Sequence, residues 1–101
     1  MKAARIDRNH VEIVAALRKA GAFVFSLAGV GKGVPDLLIG YCGKTALIEI
    51  KDGAKPPSAR RLTPDQLAWH GSWLGGTLAV VDSVDAALRV LAVMRAGEVT
   101  A

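Results

Sequence analysis

The order of hydrophobic and polar positions predicts short strands and amphipathic helices along the chain. Some segments have apolar residues at helical spacing, others are short apolar runs rich in strand formers, and turn residues separate them. The predicted order is α-β-β-β-α-β-α, over residues 8–20, 23–27, 37–41, 45–51, 64–74, 77–81 and 84–95. Because helices flank the strands in this order, we expect an α/β fold with a central, mixed four-stranded sheet covered by helices on both faces.

Capping residues mark the ends of the predicted helices. Asp7 can cap the first helix and Gly21 is placed to end it, while Ser83 can cap the last helix. The second helix has a more complete signal, because Thr63 is followed by proline at the first helical position and by Gln66 at the third. This pattern predicts a capping box.

The second and third predicted strands form a hairpin whose register brings two carboxylates together. Residues 42–43 fit a two-residue turn between these strands. The register of that turn puts Asp36 directly opposite Glu49, with Cβ atoms roughly 5 Å apart on one face. Lys51 follows two residues after Glu49 and projects from the same face. A turn one residue longer or shorter would put Asp36 on the other face.

Paired carboxylates in a buried strand point to a cation site. Glu49 lies in the run Ala46-Leu47-Ile48-Glu49-Ile50, which is apolar on both faces, and an unpaired charge is costly there. A divalent cation between Glu49 and Asp36 removes this cost, and oxygen ligands suit Mg²⁺ or Mn²⁺ rather than zinc. Such an ion can polarise a phosphodiester and lower the pKa of a bound water. Lys51 can either orient that water or neutralise charge on the phosphate, and both roles stay open.

Length and composition indicate one domain. A chain of 101 residues is too short for two domains, so we expect one domain over residues 1–101 with its core at about 8–95. The single cysteine, Cys42, excludes an intramolecular disulfide and fits a reducing compartment. No apolar run approaches the roughly 20 residues of a membrane span, and the N-terminal residues lack the apolar stretch of a signal peptide. These features predict a soluble, cytoplasmic protein without a membrane partner.

The charge is unevenly distributed along the chain. Residues 1–61 contain eleven of the 13 Lys and Arg residues but only five of the 9 Asp and Glu residues. A basic half suggests an anionic partner, of which nucleic acid is the commonest large one. Lysines that merely keep the surface soluble would give the same balance, so charge alone does not decide.

Two motifs resemble the core of the PD-(D/E)XK nuclease superfamily, namely Gly33-Val34-Pro35-Asp36-Leu37 and Ile48-Glu49-Ile50-Lys51. A third segment, Leu62-Thr63-Pro64-Asp65-Gln66-Leu67-Ala68-Trp69, is similar to the Leu-Ser/Thr-x-x-Gln-x-x-Trp helix of VRR-NUC domains. The chain therefore resembles most closely the stand-alone VRR-NUC domains often carried by phages, over roughly residues 8–91. This resemblance implies a restriction-endonuclease-like fold and a single VRR-NUC-like nuclease domain.

The resemblance also implies roles for individual residues. The implied site consists of the metal ligands Asp36, Glu49 and the Ile50 backbone carbonyl, the catalytic Lys51, the accessory acid Glu12 and the site-lining Gln66. Helix capping alone would also account for Gln66, and Glu12 could be an ordinary flank residue of the first helix. Both alternatives stay open.

Four basic residues are placed to contact nucleic acid. Lys32 precedes the strand that follows Asp36, while Lys55, Arg60 and Arg61 follow the Lys51 strand. Residues of this kind position phosphates but do not read bases, so we expect binding that depends on DNA shape and weakens with salt. The glycine-rich stretch around Lys32 lacks the spacing of a nucleotide-binding phosphate loop.

The tryptophans and histidines are also candidates for contacts to nucleic acid or metal. Trp69 and Trp73 lie four residues apart on the second predicted helix and could stack on bases, although packing is the commoner role of such a pair and is preferred. His10 and His70 have no partners at metal-ligand spacing and are expected at the surface.

The combined pattern predicts a Mg²⁺- or Mn²⁺-dependent DNA endonuclease. The resemblance suggests branched or structured substrates such as Holliday junctions, and a bacterial host if the gene is carried by a phage. A non-catalytic nucleic-acid-binding module on the same fold and an RNA-directed nuclease are the alternatives. We also expect a homodimer, because a second apolar side of the last helix (Ala86, Val90, Val93) would be exposed unless another subunit covers it.

Overall fold

The computed structural model describes residues 8–97 and confirms the predicted order of elements. The elements are α1 (Arg8–Lys19), β1 (Phe23–Ser26), β2 (Leu37–Tyr41), β3 (Lys44–Ile50), α2 (Pro64–Ser72), β4 (Thr77–Val81) and α3 (Val84–Ala96). The segment between β3 and α2 also contains a short 3-10 helix, Pro57–Arg60. Asp7, the predicted cap of α1, lies outside the described residues. The helix α2 ends at Ser72, before the predicted residue 74, because Trp73 takes an extended conformation.

The four strands form one mixed sheet in the order β1-β2-β3-β4. β1, β2 and β3 are antiparallel neighbours, whereas β4 lies parallel to β3. Tyr41 pairs with Lys44, so the turn between β2 and β3 contains the two residues that the sequence predicts. Cys42 and Gly43 both have positive φ, 54° and 75°, as a type I′ hairpin turn requires. The register on which the paired carboxylates depend is therefore confirmed.

The helices α1 and α3 pack on one face of the sheet and form the core with it. From α1 the core takes Ile13 and Leu17, which are fully buried, and from α3 it takes Leu91 and Met94 among others. α1 ends as predicted at Gly21 (φ +100°), with paired backbone hydrogen bonds that close the last turn of the helix. Most of the buried apolar surface lies on this side, so most of the folding free energy comes from it.

The opposite face of the sheet has a helix on it, as predicted, but α2 covers it only in part. It carries Phe23, Phe25 and Val80, whose side chains are 62%, 55% and 47% exposed. None of the nine residues of α2, the helix on this side, is buried. Alternation along the strands places Asp36 and Glu49 on this thinly covered face.

The last helix leaves less apolar surface exposed than the sequence suggests. On its second side, Val90 is buried and Ala86 packs against the core, while Val93 is 62% exposed. This weakens the reason for expecting a homodimer, which stays a prediction. Within residues 8–97, no helix is both long and apolar enough to span a bilayer.

Candidate metal centre

The hairpin of β2 and β3 places Asp36 against the end of β3. Asp36 comes directly before β2, and continuing the register of Leu37 with Ile48 sets it opposite Glu49. The backbone N–H of Ile50 donates a hydrogen bond of 2.8 Å to Asp36 Oδ2. This bond fixes the orientation of the Asp36 carboxylate and brings it next to the backbone of Ile50.

Glu49 is a buried carboxylate with an unpartnered oxygen atom. Its side chain points into the protein from β3, and the residue is only 3% exposed. Burial and the neighbouring Asp36 carboxylate raise the pKa of Glu49 from 4.5 to about 8, while the Lys51 ammonium acts in the opposite direction. Among the described residues, Glu49 Oε1 is buried and has no hydrogen-bond partner. A buried acceptor of this kind carries a free-energy cost that a positively charged ligand would remove.

Lys51 and Gln66 complete a hydrogen-bond network with Glu49. Lys51 Nζ donates to Gln66 Oε1 at 2.7 Å and lies 3.7 Å from Glu49 Oε2. Gln66 Nε2 donates to the same Glu49 oxygen at 3.1 Å. Gln66 Oε1 also accepts from the Thr63 N–H at 2.9 Å, and the predicted capping box is present. Gln66 therefore both caps α2 and contacts Glu49 and Lys51, so the two interpretations of this residue are compatible.

These residues fit a divalent cation by the chemistry of their donor atoms. The oxygen ligands would be the Asp36 carboxylate, the unpartnered Oε1 of Glu49 and the backbone carbonyl of Ile50, with water completing the shell. Within residues 8–97 there is no cluster of three or more His, Cys, Asp and Glu side chains that could hold a metal ion. The candidate centre therefore offers two carboxylates and relies on the backbone and water for the rest, which suits Mg²⁺ better than zinc.

Glu12, the predicted accessory acid, lies at another cleft. Its side chain is exposed on α1, and it lines a cleft of about 430 Å³ together with Asp52, Asp82 and Asn9. Asn9 donates to the backbone carbonyls of Lys51, at 3.0 Å, and Asp82, at 3.2 Å. The start of α1 is thus tied to the chain just after Lys51. No described contact joins Glu12 to Asp36 or Glu49, and its role stays a prediction.

The four predicted phosphate-binding residues differ in their surroundings. Lys32, Lys55 and Arg61 are exposed. Arg60 is half-buried, forms an ion pair of 3.2 Å with Asp82, and lines a small cleft together with Lys51. Arg60 therefore shares a cleft with a residue of the candidate centre, but part of its charge is already neutralised.

His70 is the residue near the centre that the sequence analysis missed. It is half-buried rather than at the surface, and its Nε2 atom is buried without a hydrogen-bond partner among the described residues. Burial and the positive charge of Lys51 lower the pKa of His70 below its usual 6.5. His70 follows Gln66 by four residues on α2, so helical spacing puts both on one face of the helix and could have identified it. His10 is also buried, at 7% exposure, on α1.

No protein-family model, curated protein or solved structure matches this chain.

Proposed function

We propose that this protein is a divalent-metal-dependent nuclease that hydrolyses phosphodiester bonds in DNA. The observation that carries the proposal is the pair of Asp36 and Glu49. Glu49 contacts Lys51 and Gln66 through one of its oxygens, lies beside the Asp36 carboxylate, and has a second oxygen that is buried without a hydrogen-bond partner among the described residues. A structural ion pair would satisfy all of its polar atoms, whereas here a buried carboxylate oxygen beside a second carboxylate has no hydrogen-bond donor among the described residues, and a bound divalent cation would satisfy both carboxylates.

Each residue of the network has a role in this proposal. Asp36, Glu49 and the Ile50 carbonyl would hold Mg²⁺ or Mn²⁺, and the bound ion would polarise the phosphodiester and activate water. Lys51 supplies a positive charge that either orients the attacking water or stabilises the negative charge that develops on the phosphate. Gln66 holds Lys51 and Glu49 in place through its two hydrogen bonds.

The fold is compatible with the restriction-endonuclease-like class and with a VRR-NUC domain. Three antiparallel strands followed by a parallel fourth, with α1 and α2 on opposite faces, agree with that class. The sequence motifs support the same assignment. In this proposal the substrate is branched or structured DNA, such as a Holliday junction, and the enzyme is a cytoplasmic homodimer, in a bacterial host if it is phage-encoded.

A second candidate function is a nucleic-acid-binding module without catalysis. It is favoured only by the exposed basic residues, which a binding protein would also use. A carboxylate buried beside another carboxylate has no use in such a module, and this favours the nuclease. An RNA-directed nuclease would use the same centre.

The test is cleavage of duplex, flap and four-way-junction DNA by the purified protein, with and without Mg²⁺ or Mn²⁺. We expect cleavage only with metal, and a loss of at least ~100-fold in Asp36→Asn, Glu49→Gln and Lys51→Met, because each change removes charge from the reacting centre. Asp85→Asn, an exposed carboxylate on α3, is the matched control and should cut normally. Normal cutting by Glu49→Gln would overturn the assignment, and binding without cleavage would favour the second candidate.

A further inference from the structure

A cleft lies between the helix α2 and the glycine-rich segment Gly31–Gly33. Its volume is about 440 Å³, which is within the range of small-ligand sites. Its lining residues are Lys32, Asp65, Ala68, Trp69, Ser72 and Trp73. Four of the six share one side of α2 and Trp73 follows directly after the helix, so a ligand in this cleft would lie along the helix, with Lys32 facing it from the loop.

The backbone holds the two walls of this cleft at a fixed separation. A β-carbon at Gly33 would collide with the backbone of Asp65, so the loop packs directly on the first turn of α2. Gly31, Lys32 and Gly33 all have positive φ, of 74°, 58° and 85°. Lys32 is not a glycine, and this conformation is unfavourable for it. Residues held in such conformations concentrate at functional sites, where the backbone aims a particular side chain.

The aromatic pair in this cleft is not part of the hydrophobic core. The rings of Trp69 and Trp73 are stacked, with centroids 5.4 Å apart and an angle of 16° between their planes. Trp73 is held in place because its Nε1 donates to the carbonyl of Gly76 at 2.8 Å. Both residues are only half-buried, Trp69 on α2, which has no buried residue, and Trp73 directly after that helix. The packing role that the sequence favours is therefore a contact between the two rings, which leaves aromatic surface in the cleft.

Charge and position indicate what this surface binds. Lys32 provides a cation for a phosphate, and the Asp65 carboxylate can accept hydrogen bonds from amino or imino groups of a base. Asp65 also precedes Gln66, whose side chain contacts Glu49 and Lys51, so α2 carries one residue of the cleft next to one residue of the candidate metal centre. Bases in a duplex are stacked on each other and do not present their faces, whereas unpaired bases stack readily on aromatic side chains.

We propose that the cleft binds an unpaired nucleobase of a DNA strand, which stacks on the Trp69–Trp73 pair while Lys32 holds an adjacent phosphate. The choice of DNA rests on the function proposed above. The site would select DNA with unpaired nucleotides next to the bond that is cut, such as a flap, a bulge or an open junction. It deepens the proposed function by giving a physical reason for structure selectivity.

Intrinsic fluorescence provides a direct test, because the two tryptophans of the chain both line this cleft. The wild-type protein in EDTA, in which no cleavage can occur, is titrated with oligothymidylate, with an abasic strand of equal length and with a blunt duplex. We expect saturable quenching by oligothymidylate, and affinity at least about ten-fold weaker for the abasic strand, because stacking on an aromatic residue contributes appreciably per base. The duplex should also bind more weakly, at equal salt.

Variants distinguish the contribution of the tryptophan rings to DNA binding from that of the Lys32 ammonium. With a labelled strand and fluorescence anisotropy, Trp69→Leu should lose the preference for intact over abasic DNA, and Trp69→Phe should keep most of it. Lys32→Gln should weaken both strands equally. Leu67→Ala, an exposed position on α2 that does not line the cleft, is the control and should behave as wild type.

Equal affinity for intact and abasic strands would overturn the proposal even if Trp69→Leu fails to fold, since that comparison needs only the wild type. A fluorescence change that depends on protein concentration without DNA would also overturn it, because a second copy of the chain would then fill the cleft. The outcome is independent of the nuclease test. Base-dependent binding without any cleavage would support the nucleobase site and contradict the proposed nuclease activity. Metal-dependent cleavage without base-dependent binding would contradict only the nucleobase site.

Discussion

The burial of Glu49 and the charges next to it determine much of the electrostatics of the candidate site. It is a charged residue in an apolar strand, and the structure buries it to 3% exposure beside a second carboxylate. Desolvation and like-charge repulsion both favour its protonated form, and the nearby ammonium of Lys51 only partly offsets them. In the metal-free protein, this carboxyl therefore holds a proton more tightly than it does in the unfolded chain.

We expect the stability of the metal-free protein to fall as pH rises from about 4.5 to about 8. Across this window the folded state retains the proton on Glu49 that the unfolded state has lost, so raising the pH favours unfolding. Glu49→Gln should remove this fall, which is on the order of a few kcal/mol. Urea denaturation in EDTA at several pH values measures it.

Adding Mg²⁺ and a control variant tests whether the pH dependence of stability comes from Glu49. Mg²⁺ should restore stability most strongly at the upper end of the window, because a cation binds the deprotonated pair and stabilises the folded state. Asp85→Asn, which changes an exposed carboxylate, should keep the wild-type pH dependence. An unchanged slope in Glu49→Gln would show that Glu49 is not the group that titrates.

Sequence reasoning succeeded for the residues of the hairpin and failed for residues that depend on helix docking. Asp36 and Glu49 could be placed together because a two-residue turn fixes the register of neighbouring strands, and no distant contact is needed. The position of His70 beside Lys51 depends on how α2 lies over the sheet, which local patterns do not specify. The surroundings of Glu12 depend on the packing of α1 for the same reason.

At the scale of elements, the start of α2 combines helix capping with site assembly. The Thr63 hydroxyl accepts a hydrogen bond from the Gln66 N–H at 3.2 Å, and the Gln66 side chain accepts one from the Thr63 N–H. The same side chain contacts Lys51 and Glu49. The sequence predicted the capping box from spacing alone, but the contacts across to β3 required the folded structure.

Thr63→Ala and Gln66→Ala should separate these two functions. Thr63→Ala removes only the cap and should cost about 1 kcal/mol of stability. Gln66→Ala also leaves polar groups of Glu49 and Lys51 without a partner, which should cost about 1–3 kcal/mol more. Only Gln66→Ala should weaken Mg²⁺ binding, measured as the increase in thermal stability during a Mg²⁺ titration. An equal loss of Mg²⁺ affinity in Thr63→Ala would mean that Gln66 acts through the helix end alone.

The segment between β3 and α2 carries basic residues that should not contribute equally to DNA binding. Arg61→Ala should weaken binding about equally for unrelated sequences and lower the salt dependence by roughly one phosphate contact. Arg60→Ala should have a smaller effect, because Arg60 is paired with Asp82. Binding measured over a range of salt concentrations tests both, with Arg89→Ala on α3 as the control. A loss confined to particular sequences would contradict the expectation of phosphate contacts.

For the whole molecule, the main difference from the predicted fold is the unequal covering of the sheet. The sequence predicted the strands, their turn and the helix on each side, because these follow from local spacing and caps. It did not predict that α1 and α3 would share one face while α2 would cover the other only thinly. That distribution depends on the paths of the connections, which local patterns do not specify, and it leaves apolar residues of α2 such as Leu67 exposed.

We expect the protein to form a homodimer in solution. The structure leaves Val93 on α3 exposed beside a groove between this helix and the edge strand β4, which Ala79, Ala86 and Val90 also line. Exposed apolar residues that lie together are typical of subunit interfaces. Light scattering at micromolar concentration should give twice the mass of one chain, and Val93→Lys should convert the protein to a monomer. A single-chain mass for the wild type would refute the dimer.

The thin attachment of α2 has a consequence for how DNA could enter the site. The sheet, α1 and α3 share a core and should open only by global unfolding, whereas a helix with no buried residue can detach in a local opening event of much lower free energy. When α2 detaches, Gln66 and His70 move away while Asp36 and Glu49 stay on the hairpin. The carboxylate pair then lies open along the sheet, and amide hydrogens of α2 exchange faster than those of β3. A strand bound between Lys32 and α2 would hold the helix down and slow that exchange.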